Sequence, residues 1–256
     1  MSIPLENTTP ARAEKPRANW WRTFLVLMGF VVFVGYSLIP QVEVNPRRGR
    51  PPCRKHLRQI GLALHNYHDT FGKFPPAVTL GPDGKPWHSW RVLILPFLED
   101  DRSKSLYARY RFNEPWNGPS NRLLLGERPE AFECHLAKGL ISTRHTSYLA
   151  VVGPETVWPG SESVSLRDVN DGTSNVILVV EVRDAGVPWM SPDDLTMTEA
   201  AHPPNNKPGR HPSSFHQGGG TVLMCDGAGK FISQDLDSDT WRGLLTRDGG
   251  ENLKDF

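Results

Sequence analysis

No surplus of either charge runs through this chain. Its 29 Lys and Arg residues stand against 28 Asp and Glu, a net charge of +1, so nothing draws it generally towards nucleic acid or an anionic membrane surface. Cysteine is scarce: Cys53, Cys134 and Cys225 form an odd set of three and permit at most one intramolecular disulfide. Catalytic signatures are missing as well. There is no Gly-x-Ser-x-Gly elbow and no His-Glu-x-x-His pair, and Gly218-Gly219-Gly220 lacks the Gly-Lys-Ser/Thr that ends a phosphate loop. Ser213 and Ser214 lie close to His216, but no third partner of a triad can be named from spacing. These absences set enzyme chemistry aside.

What is present is a wealth of turn formers and one long apolar run. Pro and Gly number 23 each, which predicts short elements and long loops in a β-rich domain. The run from Thr23 to Val42 carries no charge, and roughly 20 residues of helix span a bilayer core. Trp20 and Trp21 open it, where indoles favour the interface, and Pro40 ends it. No small-x-small cleavage pattern follows Ile39, which favours a retained signal anchor over a cleaved signal peptide. Charge does not settle the orientation. Arg12, Lys15, Arg17 and Arg22 precede the run, while Arg47, Arg48, Arg50, Arg54, Lys55 and Arg58 follow it.

The expected organisation is a tail over 1–19, a transmembrane signal anchor over 20–40, a Pro/Arg-rich linker over 41–52 and a folded domain over 53–256. Pro46, Pro51 and Pro52 oppose one unbroken helix from membrane to domain. An amphipathic helix is predicted over 54–70. Leu57, Ile60, Gly61, Leu64, Tyr67 or His68, and Phe71 fall on one face, and Gly72 with Pro75-Pro76 stops it. A second helix is predicted over 89–98, capped by Ser89 and shortened or kinked by Pro96, and a short third over 119–125. Strands are predicted at 146–153, 175–182, 220–227 and 229–234, the last two joined by a hairpin at Asp226-Gly227. Residues 186–212, rich in Pro, Asp and Asn, read as a long loop. The fold class is α+β, an N-terminal helix packed on an antiparallel sheet.

Three separated pieces resemble one family. LRQIGLALHNYHDTFGKFPP (57–76), DVNDGTSNVILVVE (168–181) and His216 to Asp226-Gly227, spaced as His-x9-Asp-Gly, are similar to segments of the DUF1559 proteins. SWRVLILPFLE (89–99) and PWNGPSNRLLL (115–125) fit the same family. The resemblance implies a pseudopilin-like domain, a planctomycete-type source and an extracytoplasmic position for the C-terminal part, with residues 1–19 left in the cytoplasm. It also implies a disulfide between Cys53 and Cys134, which occupy positions where the family tends to carry cysteines. Such a bridge would close a loop of about 80 residues and stabilise on the order of 4 kcal/mol by chain entropy. The chain departs from the family pattern at its front. GYSLIP (35–40) only echoes a prepilin signal, at the wrong end of the apolar run and without the following glutamate. A stationary tethered protein is therefore expected, not a filament subunit.

Several residue groups invite a chemical reading beside a structural one. His65 and His68 have the i, i+3 spacing of a metal pair; core packing and satisfaction of helix-terminal carbonyls is the preferred account. Asp168-Val-Asn-Asp-Gly172 falls short of a calcium loop, because glycine arrives one position early and Val179 stands where glutamate is required. Asp171-Gly172 is expected to form a turn, with Thr173 or Ser174 capping the next segment. His216, Asp226 and Gly227 are expected to act structurally, with the histidine hydrogen-bonded to a nearby backbone group or carboxylate. Cys225 reads as a buried apolar residue. Of eight tryptophans, those of the domain would favour ligand binding if Trp158, Trp189 and His216 lined one cleft, and a structural role if they were dispersed and buried.

The expectation is a non-enzymatic, single-pass protein of the inner membrane. It would touch the lipid bilayer through residues 20–40 and unidentified envelope proteins through its domain, and use no cofactor, metal or nucleic acid. The alternative is an extracellular solute- or glycan-binding module.

Overall fold

The computed structural model describes residues 51–251. The expected tail, signal anchor and nearly all of the linker lie outside them, as do the final five residues. The described residues belong to one unit, Asn45–Phe256. Among them, no helix is long and apolar enough to cross a membrane.

Helix α1 runs over Pro51–Phe71. It begins a few residues earlier than predicted, because proline is tolerated in a first turn, where the missing N–H has no partner to lose. Leu57, Ile60, Ala63 and Leu64 are fully buried, as the i, i+3, i+4, i+7 pattern requires. Phe71, expected on that face, is 62% exposed; it is the last residue of the helix, where its ring lies tilted against Tyr67 and edge-on to Phe97. The stop is the expected one. Gly72 takes φ +78 and donates its N–H to His68 O at 2.6 Å, an arrangement open to glycine because it lacks a Cβ.

A short hairpin of β1 (Val78–Leu80) and β2 (Pro86–Ser89) comes next, unheralded by any long alternation. Ser89 then caps α2 (Trp90–Leu93), accepting from the Arg91 N–H at 3.2 Å. Pro96 does shorten the predicted helix: α2 ends before it and a 3-10 turn, Leu95–Phe97, takes over. A further helix, α3 (Asp101–Arg109), has no counterpart among the predicted elements. Asp100 caps it by accepting from the Ser103 N–H at 2.8 Å and the Ser103 hydroxyl at 2.7 Å. The predicted helix near 119–125 is a 3-10 segment, Asn121–Glu127.

The remaining elements are β3 (Tyr148–Leu149), β4 (Val151–Val152), β5 (Ile177–Glu181), β6 (Leu195–Thr196), β7 (Gly219–Met224), β8 (Gly229–Ser233) and α4 (Ser238–Gly243). Strands β3-β5-β7-β8 form one antiparallel sheet in that order. Strand β6 emerges from the expected long loop to pair in parallel with β4. Every residue of β5 and β7 is buried, so the sheet is covered on both faces. One face carries Val179, Leu223 and Tyr148 into the core with α1. The other carries Val180, Val222 and Ile232 against Trp241 and Leu244, at and just beyond α4. Two-sided burial explains why β5 reads as an unbroken apolar run. The helix-on-sheet arrangement of an α+β domain is thus present, with antiparallel pairing in the main sheet.

Helix α1 lies very close to the sheet. A Cβ on Gly61 would come within 2.9 Å of Leu223 Cδ1 and 3.4 Å of the Gly227 backbone. Glycine at this helical position costs about 1 kcal/mol in propensity, offset by the close approach it permits.

Candidate functional site

The nine residues between His216 and Asp226 are a strand with its approach and exit. Strand β7 fills most of that interval, so the spacing places His216 at one end of a central strand and Asp226-Gly227 at the other. The two ends have different surroundings.

At the Asp226 end the arrangement is a tight turn. Gly227 N–H donates to Met224 O at 3.0 Å, Met224 N–H to Ala228 O at 2.9 Å, and Gly227 takes φ +82. This is a three-residue hairpin loop closed by a left-handed glycine. Asp226 Oδ1 accepts from the Ala228 N–H at 2.8 Å. The turn is also stitched to the other family-like segment, since Asp226 N–H donates to Thr173 O at 2.9 Å and Cys225 N–H to Val176 O at 2.8 Å. Replacing Gly227 by Ala meets nothing closer than His65 at 3.6 Å. It should therefore cost only the left-handed strain, about 1–2 kcal/mol, read as a lowered urea midpoint with the native fold kept.

Asp171 and Gly172 have structural partners. Asp171 Oδ2 and Oδ1 accept from the Gly249 and Gly250 N–H groups at 2.8 and 2.9 Å, and Gly172 turns the chain at φ +91. Asp168 completes a capping box with Ser165. These carboxylates are spent on backbone donors. The residue that caps in this region is Ser165, and no helix follows Thr173 or Ser174. His68 differs from its expected role as well. Its Nε2 accepts from the Leu166 N–H at 3.2 Å, tying α1 to the 165–168 turn, while both His65 and His68 pack against Phe74.

At the His216 end the chemistry is denser. Cys134, Glu181 and His216 converge from three distant parts of the chain, each presenting a donor atom within 4.8 Å of the others. Cys134 and Glu181 have no exposed surface and His216 only 5%. His216 Nε2 lies 3.8 Å from Glu181 Oε1, and Glu181 Oε2 accepts from the Thr221 N–H at 3.1 Å. Each residue is fixed by its own element. Glu181 ends β5 opposite Tyr148. The backbone of His216 donates to Ser214 Oγ at 2.9 Å. Cys134 follows Glu133, whose carbonyl meets His56 Nδ1 of α1 at 2.6 Å. The Cys53 side chain lies outside the described residues, and with it the expected bridge to Cys134.

A thiol, an imidazole and a carboxylate form the set used for nucleophilic catalysis, but a nucleophile must be reached by its substrate. Here all three groups are closed over. The other buried thiol is equally unsuited: burial pushes Cys225 far up from its ordinary value, and Asp226 adds to the shift.

Trp158 and Trp189 do not line a cleft with His216. Trp90, Trp158, Trp189 and Trp241 are all at most 1% exposed. Their indole N–H groups are used internally, Trp158 to Leu178 O at 2.7 Å, Trp189 to Leu125 O at 3.1 Å and Trp241 to Ala200 O at 2.7 Å. On the surface, an open groove beside α1 is lined by Arg54, Arg58, Gln59, His65 and Asp226, with the turn glycine at its edge.

Sequence reasoning singled out His216 but missed Glu181, and it assigned Cys134 elsewhere. The one available signal for Glu181 was a carboxylate at the end of an otherwise apolar strand, a position that must be compensated when both sheet faces are buried.

Comparison with protein-family models matches residues 48–149 and 183–239 to SBP_bac_10, described as "Protein of unknown function (DUF1559)". Cys134 and His216 fall within the matched ranges; Glu181 and the 168–181 segment lie between them. No curated protein and no solved structure matches the chain.

Proposed function

The chain belongs to the DUF1559 family, and from that premise we propose a non-enzymatic cell-envelope protein, tethered to the inner membrane by residues 20–40. Its pseudopilin-like domain would stand outside the cytoplasm and serve protein–protein assembly or secretion-related contacts. The observation that carries this reading is the fate of the aromatics. Trp158 and Trp189, the residues a solute- or glycan-binding cleft would need, are buried and hydrogen-bonded in the core. His216 is enclosed with Cys134 and Glu181. Side chains spent on holding the domain together do not line a cleft for a small molecule, which favours contact through the surface. The helix packed on an antiparallel sheet supports the pseudopilin comparison, and the uncharged run from Thr23 to Val42 supports the anchor.

Fractionation of cells followed by protease treatment of intact spheroplasts tests the reading. The full-length chain should sediment with the inner membrane, keep its original N-terminus, and lose residues beyond about 50 to external protease. Recovery in the soluble cytosolic fraction, or in sheared pili, would overturn it.

A further inference from the structure

We propose that Cys134, Glu181 and His216 form an internal site for a divalent transition metal of the zinc class. Their three donor atoms, a sulfur, a carboxylate oxygen and an imidazole nitrogen, lie within 4.8 Å of one another. Tetrahedral zinc holds sulfur at about 2.3 Å and nitrogen or oxygen at about 2.0–2.1 Å, which sets a nitrogen and an oxygen donor roughly 3.3 Å apart and a sulfur roughly 3.6 Å from either. His216 Nε2 and Glu181 Oε1 are 3.8 Å apart, about 0.5 Å wider than that spacing, so the ion would draw the two side chains together as it binds.

The donor set selects the class of ion. Calcium and magnesium take six or more oxygens and would not use a thiolate. Sulfur and imidazole together suit zinc and its borderline neighbours. Thiolate and carboxylate carry two negative charges, which a dication cancels, and overall neutrality is what burial favours. Ligands of this kind are oriented by outer hydrogen bonds. The Thr221 N–H on Glu181 Oε2 supplies one at 3.1 Å, leaving Oε1 turned towards His216. A water would complete the fourth position. The ion would fasten the 134 turn, the end of β5 and the approach to β7 together, as a staple inside the domain and not as a reaction centre.

The site and the Cys53–Cys134 disulfide exclude each other, because a bridged sulfur is no longer a thiolate. The test uses the full chain, purified in detergent without reductant and stripped of metal with a chelator. Adding Zn2+ alone should load one ion per chain, and adding Co2+ alone should give a near-ultraviolet thiolate-to-cobalt charge-transfer band. Cys134→Ser should abolish that band. Glu181→Gln and His216→Ala should weaken Zn2+ binding by more than the roughly 10–100-fold that loss of an outer partner costs. His65→Ala, in the i, i+3 pair on α1, should leave loading unchanged. Failure of the wild-type chain to take up either ion overturns the proposal without reference to any variant. So does a Cys53–Cys134 disulfide found by mass spectrometry of the unreduced protein, or loading that is equal in Glu181→Gln and wild type.

Discussion

Replacing Arg91 with Met should destabilise the domain by about 3–5 kcal/mol, seen as a large fall in the urea midpoint of the detergent-solubilised chain. Arg91 lies on α2, and its side chain and that of Asp194 have no exposed surface. All three nitrogens of the guanidinium donate. Its Nη1 donates to Asp194 Oδ1 at 2.7 Å, its Nε to Trp189 O at 3.0 Å, and its Nη2 to Ser191 O and Asp193 O at 2.8 and 3.0 Å. Asp194 in turn accepts from the Ala150 N–H at 2.8 Å and from the Trp90 indole at 3.2 Å. The pair therefore pins the 189–194 stretch onto α2 and the strand region at Ala150.

Burial pushes the Asp194 carboxyl up from its ordinary value, opposed by Arg91, the Ala150 N–H and Trp90. Without Arg91 the main opposing charge is gone, and the folded-state value rises further. A carboxyl raised above its unfolded value contributes stability that is present below the unfolded value and is lost as pH rises through the folded one. The penalty of Arg91→Met should thus be smallest in acid and grow towards neutrality. The double variant Arg91→Met, Asp194→Leu should be more stable than Arg91→Met alone, since no buried charge is left without its partner. Arg91→Lys should rescue poorly, because an ammonium cannot supply the planar fork that reaches the carboxylate and the neighbouring carbonyls together. A pH-independent loss, or a double variant as weak as the single one, would assign the cost to packing instead.

The range of each interaction decides which parts were legible in the sequence. Helix α1 and strands β5, β7 and β8 announce themselves because each carries its period, or its unbroken apolar run, within a few residues. The Asp226-Gly227 hairpin is local chemistry and was readable for the same reason. Helix α3 was missed because its hydrophobic content is low, with Leu106 its only fully buried large side chain; what marks it is the Asp100 cap. Strand β6 has two residues, too few for any periodic signal. Arg91 and Asp194 look like ordinary solvated charges along the chain, and only their meeting across the fold makes them a buried pair. Cys134, Glu181 and His216 share this property. Their spacing matches no metal or catalytic motif, because the sheet, not a local loop, brings them together.

The second large effect lies at the triple glycine that leads from His216 into β7. Gly219→Ala should cost about 2–6 kcal/mol, combining backbone strain of about 1–3 kcal/mol with overpacking of about 1–3 kcal/mol. Gly219 adopts φ +153, and a Cβ there would lie 2.0 Å from Ile232 O and 3.0 Å from Ile232 C. Those atoms are backbone of β8, paired beside it in the hairpin register Gly219↔Ser233 and Gly220↔Ile232. No rotamer change relieves the clash, so the strands must part at this end of the hairpin. Its neighbours separate the causes. Gly218 has φ +80 but nothing within 4 Å of a built Cβ, so Gly218→Ala should cost only about 1–2 kcal/mol of left-handed strain. Gly220 has no unusual φ, yet its Cβ would meet Pro204 Cβ at 2.8 Å, so Gly220→Ala should displace the 204–214 segment and fall between the other two. Urea denaturation of the three variants should rank Gly219→Ala lowest, Gly220→Ala next and Gly218→Ala nearest wild type. Equal losses at 218 and 219 would show that conformation alone, and not the approach of β8, demands glycine at the start of the strand.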